Sequence, residues 1–166
     1  MKRFLGIAAA SLALISAQHA AAQSFTTAPV NTAVTYDGTV IVQKGLGIPL
    51  TCTLSIDIEN TGSGYEAKNP SLTGSGGACN TVVFMNAPWP VVNTSGNLWQ
   101  VGVTGGGSDE IFVDTTITAG DCKGHLVLEY TGTDEFTLET GFSTPSTIPQ
   151  DVSGGDCKID GIIDNP

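Results

Sequence analysis

The sequence predicts an all-β protein, an Ig-like or Greek-key β-sandwich of about eight or nine short strands with two disulfides. Three observations carry this. Apolar residues alternate with a period of two along most of the chain, turn clusters rich in glycine (21 of 166 residues) interrupt the alternation, and four cysteines are spread through it. No stretch after residue 22 keeps a 3.6-residue apolar period long enough for a helix. The glycines follow no G-X-Y period, which excludes collagen.

The first 22 residues read as a signal peptide. Lys2-Arg3 precedes an apolar run from Phe4 to Ile15 that is too short to cross a bilayer, and Ala20-Ala21-Ala22 places small residues before a cleavage site at Gln23. A retained membrane anchor is the rival reading. Residues 23–166 then form a single β-sandwich domain, with no transmembrane anchor and no lipidated cysteine at the cleavage point. The expected location is secreted, extracellular or cell-surface, with the periplasm as the other exported destination.

The best strand is Ile48-Pro49-Leu50-Thr51-Cys52-Thr53-Leu54-Ser55-Ile56-Asp57-Ile58, six apolar residues on one face and small or polar ones on the other. Pro49 near its start marks a strand entry or an edge. Further strands are expected over residues 30–36, 39–44, 81–85, 98–103, 110–117, 124–130, 135–140 and 157–163. Turns at Asp37-Gly38, Thr61-Gly62, Gly74–Gly77, Gly105–Gly107, Thr131-Gly132 and Ser153-Gly154-Gly155 separate them.

The chain also echoes itself. Cys52, Glu59 and Thr61-Gly62 recur 70 residues later as Cys122, Glu129 and Thr131-Gly132, and the Gly-Gly-x-Cys ending at Cys79 recurs at Cys157. A duplicated unit repeats its own bond, so the echo selects Cys52–Cys79 and Cys122–Cys157 from the three pairings that four cysteines allow. A four-thiolate zinc site is the alternative, but it needs closely spaced cysteine knuckles and none is present.

After the leader, four lysines and no arginine stand against 16 acidic residues, a net charge near −12. Such a surface repels phosphate and excludes a nucleic-acid partner. Catalytic constellations are equally thin. His125 is the one histidine outside the leader, no Gly-x-Ser-x-Gly elbow accompanies it, and the disulfides leave no thiol nucleophile. Asp57/Glu59 and Asp134/Glu135 sit at strand ends beside turns, and nothing in the pattern buries one of a pair to raise its pKa, as glycoside hydrolysis requires. Asp109-Glu110 and Asp156/Asp160/Asp164 supply oxygens but not the Asp-x-Asp-x-Asp-Gly calcium loop. The reading is therefore not an enzyme, with no cofactor and no metal.

The segment Phe84-Met85-Asn86-Ala87-Pro88-Trp89-Pro90-Val91-Val92 stands out. Proline on both sides of Trp89 is expected to take it out of the sheet as an apolar loop or crossover. Trp89 then either plugs one end of the sandwich or, with Met85, Pro88 and Pro90, forms an exposed patch for an oily surface or partner. Trp99 alternates with Val101 and Val103, which makes it a core residue.

Several motifs, in order, resemble the small exported bacterial activators of alkane oxidation of the PraB type. They are Lys44-Gly45 followed by Leu50-Thr51-Cys52, then Cys79 with Ala87-Pro88-Trp89, and finally Gly154-Gly155-Asp156-Cys157 with Gly161. The resemblance runs from about Thr35 to Asn165; the chain departs from it in carrying more Asp and Glu along its strands. It implies an exported, non-enzymatic factor supporting growth on, or attachment to, hydrophobic substrates such as alkanes. Such a factor would act at an oil–water or cell-surface interface. The alternative is a pilin-like structural or adhesive subunit that lends the extended stretch 24–35 to a neighbour by strand exchange.

Overall fold

The computed structural model describes residues 29–45, 47–115, 120–132, 134–138, 146–148 and 155–165. The proposed leader, with most of the stretch 139–154, lies outside them. In chain order the strands are β1 (Thr32–Lys44), β2 (Leu50–Asn60), β3 (Tyr65–Thr73), β4 (Val82–Met85), β5 (Trp89–Ser95), β6 (Leu98–Val101), β7 (Ile111–Thr115), β8 (Asp121–Gly124), β9 (Leu126–Tyr130), β10 (Glu135–Leu138), β11 (Ser146–Ile148) and β12 (Cys157–Asp164).

The all-β class holds, but the sandwich does not. The main sheet runs β1-β2-β3-β5-β6-β9-β10-β12, and β12 returns to pair with β1, so eight antiparallel strands close into a barrel. The barrel strands follow chain order, as in an up-and-down barrel and unlike a Greek key. Alternation dictates which face of a strand is buried, and it reads the same in a sandwich and in a barrel. Closure is decided by the seam between β1 and β12, where Val40 faces Gly161 and Asp37 faces Asp164. The backbones approach so closely there that a Cβ on Gly38 would lie 1.9 Å from the Ile162 carbonyl oxygen. One on Gly161 would lie 2.4 Å from that of Thr39.

β11 extends the sheet end to end with β10, both pairing with the same edge of β12. The remaining strands form a separate three-stranded sheet, β4-β7-β8. The two disulfides join Cys52 to Cys79 and Cys122 to Cys157, the pairing that the internal echo selects. Each bond fastens one flank of the small sheet to the barrel. Cys79 sits in the 3-10 turn leading into β4 and is bonded to β2, whereas Cys122 lies in β8 and is bonded to β12. The two halves therefore repeat the bond in mirrored roles, because the first cysteine belongs to the barrel in one half and to the small sheet in the other.

The segment around Trp89 overturns the expected loop. Trp89–Ser95 is a barrel strand, with Ala67 opposite Trp89 and Glu66 opposite Pro90. Pro90 is tolerated because it is the second residue of the strand, where its missing N–H interrupts little of the ladder. Its carbonyl still accepts the Gly102 N–H at 2.9 Å.

Side chains fill the lower barrel. Tyr36 and Phe136 meet edge to face with centroids 5.1 Å apart, and Tyr130 packs on the same Phe136 at 5.3 Å. These rings close the end where β1 begins and β9 ends.

Candidate functional site

The opposite end of the barrel is hollow. Strands β1, β2, β3, β9 and β12 present Val42, Leu50, Leu72, Leu126 and Ile159 to a cavity of about 430 Å3. The small sheet lies across it, contributing Val82, Phe84 and Val113, and Ile148 of β11 completes the apolar wall. Period-two alternation produces this lining, since each of these residues occupies the inward register of its strand. Deeper in the barrel, between Leu54, Trp89 and Leu138, only about 20 Å3 is left empty. The hollow therefore belongs to the junction between barrel and small sheet, where both disulfides are anchored.

The rim carries the few polar groups. Gln43, Lys44, Thr81, Thr115 and Lys158 reach the cavity, as does Ile48 of the β1–β2 loop, which is 84% exposed. Lys44 is the unusual member. It continues the inward register of Tyr36, Val40 and Val42 and is buried, and its ammonium donates a hydrogen bond to the Gly120 carbonyl. Burial lowers its pKa from the ordinary 10.5, while the carboxylates of Asp121 and Asp114 pull the other way.

The proposed apolar patch is dispersed. Trp89 is 1% exposed, its Nε1–H bonded to the Met85 carbonyl at 3.2 Å, so it belongs to the interior and not to an interface. Met85 and Pro88 remain exposed, and Pro90 is half-buried. The reason is geometric: Trp89 occupies the inward register of β5, where pairing with β3 directs it into the barrel.

The acidic pairs have structural duties. Asp57 accepts hydrogen bonds from Thr35 and Asn69, Glu59 from Lys68, and Asp134 from the Tyr130 hydroxyl. Glu110 is buried, accepts the Gly105 N–H at 2.5 Å and faces Lys123 at 3.7 Å, bracing the glycine-rich turn. His125 contacts Thr104 through Nδ1. None of these residues lines the cavity. Among the described residues, no three His, Cys, Asp or Glu side chains converge on a metal-sized site, and no helix is long and apolar enough to cross a membrane.

The cavity itself is absent from the sequence reading, because periodicity tells which residues point inward and not whether they meet. One signal was available: Lys44 is a charged residue in an otherwise apolar inward register.

The molecule is thus a disulfide-braced eight-stranded barrel with a ligand-sized apolar cavity, and small barrels of this strand number can hold one small ligand. The chain belongs to the family described as alkane oxidation protein activator PraA/PraB-like, which it matches over residues 1–165. No curated protein and no solved structure matches it.

Proposed function

We propose that this protein is an exported, non-enzymatic factor that supports growth on, or attachment to, hydrophobic substrates such as alkanes. It acts at an oil–water or cell-surface interface, and its point of contact with hydrocarbon is the cavity between the barrel and the small sheet. The observation that carries this is the 430 Å3 apolar hollow in a member of an alkane oxidation activator family. Two disulfides suit the oxidising environment of an exported protein.

The size fits a chain. A cavity of about 150 Å3 lined by aliphatic and aromatic side chains stays dry and takes benzene. By proportion this one has room for a hydrocarbon on the order of a dozen carbons. Removing about 300 Å2 of alkyl surface from water at ~25 cal/mol/Å2 contributes on the order of 7 kcal/mol before the cost of immobilising the chain. Exposed Ile48 at the rim and a strongly acidic remainder would let the protein meet oil at one end while staying hydrated elsewhere.

The test is partition of dodecane into solutions of the protein, read against displacement of an apolar fluorescent dye. One saturable site is expected, abolished when Val113→Trp fills the hollow. Dodecane uptake that is non-saturable, or equal in the filled variant, would refute the reading. The strand-exchange alternative finds less support, because residues 32–35 of the donor segment are already paired with β2 within the chain's own barrel.

A further inference from the structure

We infer that the preferred occupant of the cavity is a straight-chain carboxylate, its alkyl chain in the apolar hollow and its head group at the rim against Lys44, with Lys158 alongside. This rests on the proposed reading of the cavity as a hydrocarbon site and narrows it to an anionic amphiphile.

The argument starts from how the chain distributes its few cations. Outside the leader it holds four lysines among 16 acids. Lys68 is held by Glu59 at 2.7 Å and Glu66 at 3.4 Å, and Lys123 faces Glu110 at 3.7 Å. The other two, Lys44 and Lys158, are the two that reach the cavity. This allocation places two of the four cations at the cavity, neither of them in an ion pair among the described residues.

Lys44 makes the point sharper. An ammonium has three donors, and Gly120 receives one of them. Withdrawing a charge from water costs free energy unless a counter-charge or further hydrogen bonds replace the hydration. A carboxylate arriving at the rim supplies both, as a charge-assisted contact of the strong class. Asp114 and Asp121, whose charges act on Lys44, lie opposite each other in the β7–β8 ladder, and neither lines the cavity or forms an ion pair with Lys44 among the described residues. A plain alkane gains nothing from Lys44. An alcohol gains one neutral hydrogen bond, and a carboxylate gains the most.

The experiment compares dodecanoate, dodecanol and dodecane as competitors of the apolar dye, below their aggregation limits at neutral pH, on the intact protein and on Lys44→Met and Lys158→Gln. Dodecanoate is expected to compete about tenfold better than dodecanol. Lys44→Met should erase that preference, and Lys158→Gln should reduce it less. Equal competition by dodecanoate and dodecanol on the unmodified protein overturns the inference but leaves the hydrocarbon site standing, and needs no variant to fold. A preference that survives Lys44→Met with full strength also overturns it. Failure of all three ligands to compete removes the cavity reading and this inference together.

Discussion

Phe84 and Trp89 meet edge to face, ring centroids 6.0 Å apart and planes at 74°. Phe84 is in β4 of the small sheet and Trp89 in β5 of the barrel, so the pair forms a contact between the two layers directly beneath the cavity. The indole that looked like a candidate surface anchor is instead part of the floor.

Trp89→Ala is therefore expected to cost about 3–5 kcal/mol, in the range of large core truncations, rather than to act on surface adsorption. Urea unfolding of the purified variant measures it. Iodide gives a second reading: with Trp89 and Trp99 at 1% and 2% exposure, the folded protein's fluorescence should resist quenching. A change below about 1 kcal/mol, the scale of surface substitutions, would contradict the packing described.

The disulfides make a separable prediction. They close loops with sequence separations of 27 and 35 residues, for which chain entropy gives about 3.5–4 kcal/mol each. Replacing Cys52 and Cys79 together by alanine, or Cys122 and Cys157 together, should lower stability by that order in denaturant melts. Either double variant should also weaken dye binding more than its stability loss explains, because each bond holds one flank of the sheet that roofs the cavity. Non-reducing peptide maps should recover only these two pairs. A Cys79–Cys122 peptide would refute the arrangement.

Much of this fold was legible in the residues, and the failures have identifiable causes. Leu54, Ile56 and Ile58 alternate as a half-buried strand must, and all three are buried. The repeated Gly-Gly-x-Cys motif pointed to the right cysteine partners, although the two bonds join barrel and small sheet in opposite order and so do not repeat one structural unit. Closure of the barrel was not legible, since it depends on residues 38 and 161 meeting across a seam more than a hundred positions apart. Pro90 misled because proline's cost depends on where in a strand it sits, and no local pattern fixes that. The cavity was hidden for the same reason as the seam: Val42, Val113 and Ile159 are ordinary strand residues until the topology brings them to one end.

The seam is open to direct test. A methyl at Gly38 would meet Ile162 oxygen at 1.9 Å and Ile163 Cα at 2.7 Å, both backbone atoms that cannot turn aside. At Gly161, φ of 151° adds a conformation that side chains rarely adopt. Gly38→Ala and Gly161→Ala should each destabilise by about 1–3 kcal/mol or more, as overpacking does. Gly64→Ala, at a turn with nothing within 4 Å of the added atom, is the control and should stay near the parent. Hydrogen exchange should show the loss concentrated in β1 and β12.

Alkaline pH should find the buried tyrosines. Burial raises the Tyr36 phenol well above its ordinary 10.0, helped by the negative charge of Asp134, and burial raises Tyr130 as well. A phenol whose folded pKa lies above its unfolded value keeps its full contribution below pH 10.0, and the contribution is lost as pH climbs from there towards the folded value. Lys44 carries the opposite sign: with its pKa lowered, the unfolded chain binds more protons between that value and 10.5, so its term rises with pH across the window. Urea midpoints measured from neutral pH upward should thus gain a small increment from Lys44 before falling steeply above pH 10.0. Tyr36→Phe should move the fall to higher pH, and Lys44→Met should flatten the rise without moving the fall. Tyrosinate absorbance provides the discriminating readout. If Tyr36 ionises at its ordinary value while the barrel is still folded, the aromatic end of the barrel is open to water, and the packing of Tyr36 against Phe136 is wrong.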